Sequence, residues 1–522
     1  MSAVSQTVRA WFILVAMMIL ILLINVDYTA VNIAMVSISY EINEDLNTLQ
    51  WLLSAYILTW AASVIPAGQM ADIYGKRRML LWGVSIFMIA SILCGFISTA
   101  PLLIGARILQ GFGGALFVPP LYALVFENFP QNKQGFAIGM LGVGAGIGLA
   151  IGPSFGGIIL ETLGWRWIFL INGPLCLFVL SIIWFFAHKD KKAHSQATVD
   201  VMGSLLLGGA LAIGIFALNQ TEVWGITDFR LLSLLGVSIG FALLFGLVSR
   251  KKVHPLIPKG LFRNIPFVGT MVGFSIYSFG FSVVLVMVGL FLQNVQGYDA
   301  YTAGIIFLAM TVATGVLSPF GGKMSDHMDP RIPICGGLGL VVVAFTMASF
   351  FSASSSLSYV ISVLFLMGLG MGLSFPALNA TMMKTVDSSI LSTASGTFIM
   401  GCCTANTLGV VVSTSMLVGL GRLYLDQLVS QSALLADTKT YQALIELLSS
   451  VHRDMTLLNH LSASEVEGAI TVLNQAFSGS FAWIMGMTSV FMFIALVAGY
   501  KMIIIKKKVV VDSTQEVMPL VI

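Results

Sequence analysis

The chain has 522 residues, of which 57% are hydrophobic and only 9% are charged, and its net charge is +3. A soluble domain of ordinary composition is about 25% charged. The composition therefore excludes a soluble globular protein and predicts an all-α polytopic membrane protein.

Apolar stretches of about 20 residues predict fourteen membrane spans. In chain order the spans cover residues 11–38, 49–70, 79–98, 101–126, 135–160, 167–187, 201–218, 231–248, 266–293, 302–322, 332–351, 357–381, 391–420 and 479–505. The first stretch stays apolar to residue 38 without a small-residue cleavage site. We therefore interpret it as a span rather than as a signal peptide.

The basic residues predict the orientation of these spans. If the N-terminus lies inside, the inside connections hold twenty of the 26 lysine and arginine residues, and the outside connections hold five. Arg107 is the remaining one and lies within a span. This bias is typical of cytoplasmic loops. We therefore expect both termini in the cytoplasm and the protein in a plasma membrane, which in a bacterium is the inner membrane.

Related sequences after the second and tenth spans predict an internal repeat. Gly68-x-x-x-Asp72-x-x-Gly75 follows the second span, and Gly322-x-x-x-Asp326 follows the tenth. The match divides the chain into two six-span bundles joined by a linker with two extra spans. The N-terminal bundle, the linker, the C-terminal bundle and a cytoplasmic tail cover residues 1–187, 188–265, 266–505 and 506–522.

The last outside connection, residues 421–478, is long and has helical features. Leu444, Leu447 and Leu448 recur at helical spacing, and Ser462 with Glu465 forms a possible capping box. We expect two short helices that form a hairpin over the outer mouth. A mobile loop is the alternative.

Two charged residues remain in the interior of the predicted spans, Asp27 in the first and Arg107 in the fourth, whereas Lys501 lies at the basic end of the last span. An ionisable group at membrane depth costs at least a few kcal/mol, so both residues are functional candidates. The alternative is that the two side chains only neutralise each other. Gln110 shares a helical face with Arg107, and Gly111 and Gly114 lie beside them as a groove.

Polar and aromatic side chains on other helical faces are candidates for the lining of a central cavity. Tyr28 and Asn32 share a face of the first span that does not include Asp27, because Asp27 and Asn32 are about 140° apart on a straight helix. The aromatic stripes in spans two and nine are the other source of candidates, although most such stripes are ordinary core. The candidate lining residues are Tyr28, Asn32, Tyr56, Trp60, Gln110, Phe274, Tyr277 and Phe281.

A glycine stripe runs through the fifth span. Gly144, Gly148, Gly152 and Gly156 recur every four residues, which leaves one helical face bare for a neighbouring helix. Pro153 removes a backbone donor and predicts a bend. A packing groove with a kink, without any further role, is the alternative.

The sequence lacks the motifs of common enzymes. It has no nucleotide-binding loop, nucleophile elbow or catalytic carboxylate pair, and its histidines show no metal-ligand spacing. We therefore exclude enzymes and ATP-driven pumps and expect neither a cofactor nor a metal.

The glycine stripe resembles a signature of the major facilitator superfamily. Gly148-x-x-x-Gly152-Pro153-x-x-Gly156-Gly157 is similar to the fifth-span motif of exporters in that family. The resemblance implies a proton-coupled antiporter rather than an importer, with a fold of two six-helix bundles and two inserted helices.

Other spans resemble the fourteen-span drug:proton antiporter branch of this superfamily. Asp27 followed five residues later by Asn32 is similar to the first-span motif of the branch, whose acid takes up protons or meets cationic substrate. Arg107 with Gln110 is similar to the fourth-span motif, whose arginine is implicated in proton transfer. Because arginine cannot give up its proton, we expect Arg107 to hold a neighbouring acid or water chain. The segment from Trp165 to Asn172 is similar to the entry to span six.

The segment from Gly68 to Arg78 resembles the cytoplasmic loop signature of the superfamily. Gly68, Asp72 and Gly75 allow a tight turn, and the basic run ending at Arg78 anchors this turn at the inner headgroups. The resemblance implies that Asp72 helps to lock the two halves together in the outward-facing state. In the second copy, which contains Asp326, an aspartate replaces the second glycine, so its locking role is open.

The resemblance implies a proton-coupled exporter of small amphipathic or drug-like compounds that works by alternating access and is driven by the proton gradient. Only one clear acid lies within the spans, which leaves an endogenous metabolite, a lipid-like molecule or a siderophore as an alternative substrate. Solute uptake and a non-transporting receptor with the same fold are further alternatives. The expected partners are the bilayer, a small-molecule substrate and protons, with an accessory periplasmic or outer-membrane component as a further candidate and no nucleic acid.

Overall fold

The computed structural model describes residues 3–190, 198–225, 228–429, 438–449, 455–458 and 461–502. These residues include fourteen helices that are long and apolar enough to cross a membrane, which is the predicted number. We number them α1 to α14 in chain order. Their bounds are Ala3–Ile42, Trp51–Tyr74, Lys76–Phe96, Ala100–Asn128, Gln134–Thr162, Arg166–Phe186, Val201–Asn219, Phe229–Lys251, Ile265–Leu290, Ala300–His327, Arg331–Ala348, Leu357–Lys384, Leu391–Val429 and Ala463–Met502.

Side-chain caps and short polar turns define many of the helix ends. The helices α7, α8, α9 and α12 each begin after a side chain that accepts a hydrogen bond from a backbone N–H of the first turn, which satisfies one of the free donors there. The capping residues are Asp200, Asp228, Asn264 and Ser356. The sequence signals for helix starts therefore operate in this membrane protein as they do in soluble ones.

The helices form two groups of six with an additional pair. In the first group α1 packs on α5 and α6, and α4 packs on α2 and α3. In the second group α9 packs on α13 and α14, and α12 packs on α10 and α11. The pair α7 and α8 packs together, and α7 also contacts α2 and α13. The chain boundaries assigned to the two bundles and the linker stay predictions.

We name the two ends of the helices by their residues. The basic end carries Lys76, Arg77, Arg78 and Lys384, and the loop end carries the chain between α13 and α14. Arg9 lies at the basic end, because its Nε donates to the carbonyl of Phe186 at 3.0 Å. The first described turns of α1 and the last turn of α6 therefore share one end.

A buried carboxylate fixes the additional pair to α2 near the basic end. The side chain of Asp200 accepts hydrogen bonds from the backbone N–H of Gly203 at 2.7 Å and of Leu256 at 3.0 Å, and it pairs with Lys252. The backbone N–H of Asp200 donates to Gln69 Oε1 at 3.0 Å. These bonds hold the start of α7 and the chain after α8 against one point of α2.

The connection at the loop end differs from the expected hairpin of two short helices. The helix α13 continues to Val429 and α14 begins at Ala463. Between them the described residues contain the α-helix Thr438–Ser449, which packs against both, and a 3-10 turn at Met455–Leu458. The Leu444 and Leu447 side chains of that helix are fully buried, because its apolar face meets the extended ends of α13 and α14. The expected second helix is thus the first part of α14. Residues 430–437, 450–454 and 459–460 lie outside the described part of the chain.

The capping box predicted for this connection lies at the start of α14. The hydroxyl of Ser462 donates to Glu465 Oε2 at 2.7 Å, and the backbone N–H of Ser462 donates to the same oxygen at 2.8 Å. The sequence signal therefore locates the beginning of α14, sixteen residues before the apolar run of the predicted span.

Candidate functional site

The two charged residues predicted within spans form one buried ion pair. Arg107 Nη1 lies 2.6 Å from Asp27 Oδ2, and both side chains have no exposed surface. The pair joins α1 to α4. Both the functional interpretation and the alternative of simple neutralisation predicted this contact, so the contact alone does not separate them.

Three further residues complete the hydrogen bonding of the pair. The second carboxylate oxygen of Asp27 accepts from Gln110 Nε2 at 3.0 Å and from Asn172 Nδ2 at 3.3 Å. Arg107 also donates through Nη1 to Gln110 Oε1 at 2.7 Å and through Nε to the Leu52 carbonyl at 3.0 Å. The network therefore connects α1, α2, α4 and α6, and both carboxylate oxygens have donors.

Asn172 belongs to the site although the sequence analysis gave it no role. It begins the longer part of α6, after an interruption at Ile171. Its Nδ2 also donates to Ser91 Oγ at 2.9 Å, and Ser91 donates to the carbonyl of Phe169 at 2.9 Å. The available signal was an amide side chain inside an apolar run, which at membrane depth requires a polar partner.

An aromatic side chain covers the guanidinium. The ring of Tyr56 lies 4.2 Å from the Arg107 guanidinium carbon, which is within cation–π distance. A Cβ at Gly111 would collide with the Tyr56 carbonyl oxygen, so the glycine lets α2 approach α4 closely. Tyr56 Oη, Trp60 Nε1 and Arg107 Nη2 are buried atoms without a hydrogen-bond partner among the described residues.

The eight residues predicted to line a cavity fall into separate places. Gln110 and Tyr56 belong to the ion-pair site, with Trp60 one turn along α2. Tyr28 and Asn32 are exposed on a different face of α1 from Asp27, as their spacing predicted.

The aromatic stripe of α9 is largely core. Phe274 and Tyr277 are buried and their rings stack at 5.7 Å, and Phe274 also stacks on Phe398 at 4.4 Å and lies 5.4 Å from Phe375. Phe281 is half-buried. These contacts connect α9 to α12 and α13 within the second group, which is the ordinary core packing that the sequence analysis kept as an alternative.

The predicted glycine stripe of α5 faces α1. A Cβ at Gly144, Gly148, Gly152 or Gly156 would meet the backbone or side chains of α1, with contacts that include Thr29 and Ala30. A Cβ at Gly157 would meet no described atom within 4 Å, so this glycine does not belong to the packing stripe. Pro153 lies within the continuous helix α5, and its side chain lies outside the described residues.

A second row of glycines on α5 was missed. It consists of Gly135, Gly139, Gly142 and Gly146, and it faces α10 of the other group. Added Cβ atoms at the first three would collide with α10, beginning at Gly322 at the basic end, and one at Gly146 would lie in tight contact with the Thr311 carbonyl. The spacing of four, three and four residues was visible in the sequence. One helix thus carries a row of glycines toward α1 and another toward the opposite group.

Asp72 connects α2 to the start of α13. Its carboxylate accepts from the backbone N–H of Ser392 at 3.0 Å and of Thr393 at 2.7 Å, and also from the Thr393 hydroxyl at 2.7 Å. A Cβ at Gly68 would lie 2.5 Å from the Ser392 carbonyl oxygen, so glycine is required for this approach. The carboxylate thus occupies the positive N-terminus of a helix from the other group.

Asp326 makes the equivalent contact in the second copy of the motif. Its carboxylate accepts from the backbone N–H of Gly135 at 2.8 Å and of Phe136 at 3.0 Å, at the N-terminus of α5. Lys384 lies 2.9 Å from the same carboxylate. The helix pairs α2 with α13 and α10 with α5 are related by the internal repeat. We call these two contacts the Asp72 clamp and the Asp326 clamp.

Gly75 and Arg78 contact a residue that the sequence analysis did not select. Gly75 has φ of 107°, and a Cβ there would collide with the side chain of Asp190. The carboxylate of Asp190 accepts from the backbone N–H groups of Arg77 and Arg78, both at 3.0 Å. Gly75 therefore lets the chain after α6 cap the start of α3, whereas the side chain of Arg78 is exposed.

The buried site combines one carboxylate, two amide side chains and a guanidinium, and a guanidinium stays charged in proteins. Among the residues that the structure describes, no group of three or more His, Cys, Asp or Glu side chains is arranged to hold a metal ion.

The sequence is similar to known transport proteins. The sequence model of the protein family named Major Facilitator Superfamily matches residues 17–410. The Tetracenomycin C resistance and export protein of Streptomyces glaucescens is 30% identical over 363 residues, which are 70% of this chain and 68% of that protein. The Multidrug resistance protein Stp of Mycobacterium tuberculosis is 30% identical over 398 residues, which are 76% of this chain and 73% of that protein.

A solved structure has the same fold. The human organic anion transporter MFSD10 (TETRAN) superposes with a TM-score of 0.57 over 93% of this chain and 98% of that chain. The two sequences are 14% identical, so this likeness concerns the architecture alone.

Proposed function

Because the chain belongs to the Major Facilitator Superfamily, we propose that this membrane transporter exports small amphipathic or drug-like molecules in exchange for protons. The observation that carries the proposal is the Asp27 carboxylate, which is buried at membrane depth and shared between Arg107, Gln110 and Asn172. The proton gradient is the energy source, and each charge that crosses contributes about 2.3 kcal/mol per 100 mV.

The energetics of the pair favour coupling over a purely structural role. A buried ion pair contributes little net stability, because desolvation of both charges offsets their attraction. A proton on Asp27 would leave Arg107 without a negative partner and would weaken the link between α1 and α4. Proton binding therefore changes the packing of α1 against α4. Two uncharged residues joined by a hydrogen bond would not respond to a proton in this way.

The packing of α5 offers a route from the proton site to the contact between the two groups. One row of glycines on α5 faces α1, and the other faces α10. A shift of α1 relative to α4 acts directly on α5, and α5 begins at the Asp326 clamp. In the proposal, the protein either carries a proton on Asp27 or is closed at the basic end. A movement of α5 converts one of these states into the other.

The two clamps are the basis on which we assign a conformational state to the transporter. We assign the basic end and both termini to the cytoplasm, because twenty of the 26 basic residues fall on that side. The Asp72 and Asp326 clamps then close the cytoplasmic side, and the transporter faces outward. Substrate entry from the cytoplasm requires that both carboxylates leave the helix N-termini of the opposite group.

The names of the relatives support a drug-like substrate. One relative is an export protein for tetracenomycin C and another is a multidrug resistance protein. We place the protein in a plasma membrane, with an accessory periplasmic or outer-membrane component as a candidate partner. An endogenous metabolite or a siderophore is the alternative cargo, and a receptor without transport is the alternative from another class.

Reconstitution of the purified protein in liposomes tests the proposal. A panel of cationic, anionic and neutral amphipathic compounds is added under an imposed pH gradient. We expect at least one class to accumulate against its own gradient and to be released when a proton ionophore collapses the pH difference. Binding without movement of any compound would favour the receptor, and accumulation that survives the ionophore would exclude proton coupling.

A further inference from the structure

A groove on the outer surface of the first group combines basic and apolar side chains. It lies between the basic ends of α3 and α6 and has a volume of about 860 Å³. Its polar end is lined by Arg77, Arg78, Lys189 and Asp190. Further from this end the lining includes Ile89, so the groove changes from charged to apolar along α3.

The charges of the groove leave a net positive site. The carboxylate of Asp190 already accepts hydrogen bonds from two backbone N–H groups at the start of α3. Arg77 is partly used as well, because its Nη2 donates to the Trp184 carbonyl at 2.8 Å. The exposed side chains of Arg78 and Lys189 have no ion-pair or hydrogen-bond partner among the described residues. Two cationic side chains are therefore available to an anionic ligand.

The dimensions of the groove match one leaflet of a bilayer. Arg78 and Ile89 are eleven residues apart on α3, which is about 16 Å along the helix axis. Half of the hydrocarbon thickness is about 15 Å. A ligand held at Arg78 therefore has room for an acyl chain along the apolar part of the same groove.

Two tryptophans mark the depth of the headgroup layer. Trp82 and Trp184 line the groove one turn from its basic residues and are 64% and 62% exposed. Tryptophan is enriched at the boundary between headgroups and hydrocarbon, where its ring is apolar and its N–H stays hydrated. Their position places the basic side chains at the level of the lipid phosphates.

We propose that this groove binds the headgroup of an anionic phospholipid from the leaflet at the basic end, with Arg78 and Lys189 contacting the phosphate. The net positive charge selects an anionic headgroup over a zwitterionic one, and the apolar part of the groove selects a lipid over free phosphate. The site is separate from Asp27 and does not depend on the proposed transport reaction.

Lipid titrations followed by native mass spectrometry test the site on the purified full-length protein. Phosphatidylglycerol and phosphatidylcholine are added separately to the wild type and to the double variant Arg78→Gln/Lys189→Gln. Each basic residue near the surface contributes about fivefold to anionic lipid binding. We expect about 10- to 30-fold weaker binding of phosphatidylglycerol to the double variant and unchanged binding of phosphatidylcholine.

A charge-matched variant and a conservative variant are the controls. Arg250→Gln/Lys251→Gln removes two exposed charges at the basic end of α8, outside the groove, and should bind phosphatidylglycerol as the wild type does. Arg78→Lys should retain most of the binding. Equal loss in both double variants, or no loss in either, would overturn the site. Displacement of the lipid by millimolar inorganic phosphate would overturn the assignment to a lipid.

Discussion

At the scale of single residues, Arg107 has more partners than charge neutralisation requires. It contacts the Asp27 carboxylate, the Gln110 amide oxygen and the Leu52 carbonyl, and it stacks on the ring of Tyr56. A planar guanidinium can make these contacts together, whereas a lysine ammonium is a compact point charge. The residue type therefore matters as well as its charge.

The variant Arg107→Lys tests this geometry. We expect transport to fall about tenfold to a hundredfold, because a hydrogen bond to a charged group contributes about 1.5–3 kcal/mol and at least one such bond is lost. The measurement is proton-driven flux in liposomes, normalised to the amount of folded protein. Lys76→Arg, a change of similar size at the basic end, is the control. Flux equal to wild type in Arg107→Lys would show that charge alone is sufficient.

The sequence identified the charged pair and Gln110 but not the partners of the motif residues at the basic end, for a physical reason. Asp27, Arg107 and Gln110 were visible because a charge or amide at membrane depth is costly wherever its partner lies. The partners of Asp72 and Gly75 were not visible. Ser392 contacts Asp72 through its backbone N–H, and Asp190 lies in a polar connection. Such partners are determined by helix packing across more than a hundred residues of sequence.

At the scale of helices, α5 is in close contact with a helix of each group, α1 and α10. The sequence predicted the row of glycines that faces α1, because a spacing of four residues was regular. The row that faces α10 was missed, since the alternation of four and three residues is less conspicuous and no partner could be assigned. The structure shows that almost the whole length of α5 is in close contact with another helix.

The variant Gly152→Leu tests the contact of α5 with α1. Its Cβ would collide with the side chain of Thr29, so we expect an inserted protein that is inactive, since overpacking costs about 1–3 kcal/mol. The matched control is Gly157→Leu on the same helix, where an added Cβ meets no described atom within 4 Å. We expect near-normal transport for this control. Comparable transport by both variants would show that close packing of α1 and α5 is dispensable.

At the scale of the whole molecule, the number of spans followed from hydrophobicity, but the ends of α13 and α14 did not. Both helices continue beyond their apolar runs, because the Thr438–Ser449 helix packs on their polar extensions. Hydropathy identifies the part of a helix that is apolar enough to lie in the hydrocarbon layer, whereas these polar extensions are stabilised by contacts with other parts of the protein at the loop end. The internal repeat was also visible in the sequence. In the structure, its two copies make equivalent contacts, the Asp72 clamp and the Asp326 clamp.

The orientation of the protein is tested at the two ends of α5. Single cysteines at Asn132 and Thr162 are introduced into a background without the five native cysteines, and both positions are exposed. An impermeant thiol reagent added to intact cells should label Thr162→Cys and should label Asn132→Cys only after permeabilisation. The positive-inside distribution of the basic residues is the reason for this expectation. The opposite pattern would invert the assignment of the basic end.

The central claim is that Asp27 couples protons to export, and one flux measurement tests it most directly. Wild type and Asp27→Asn are reconstituted in liposomes, and substrate accumulation is followed after an imposed pH jump. The asparagine keeps the size and much of the hydrogen bonding but removes the charge and the titration. We expect the wild type to concentrate substrate and the variant to lose this ability, while exchange of substrate down its own gradient continues in both. If Asp27→Asn still concentrates substrate against its gradient, Asp27 is not the coupling group and the account is contradicted.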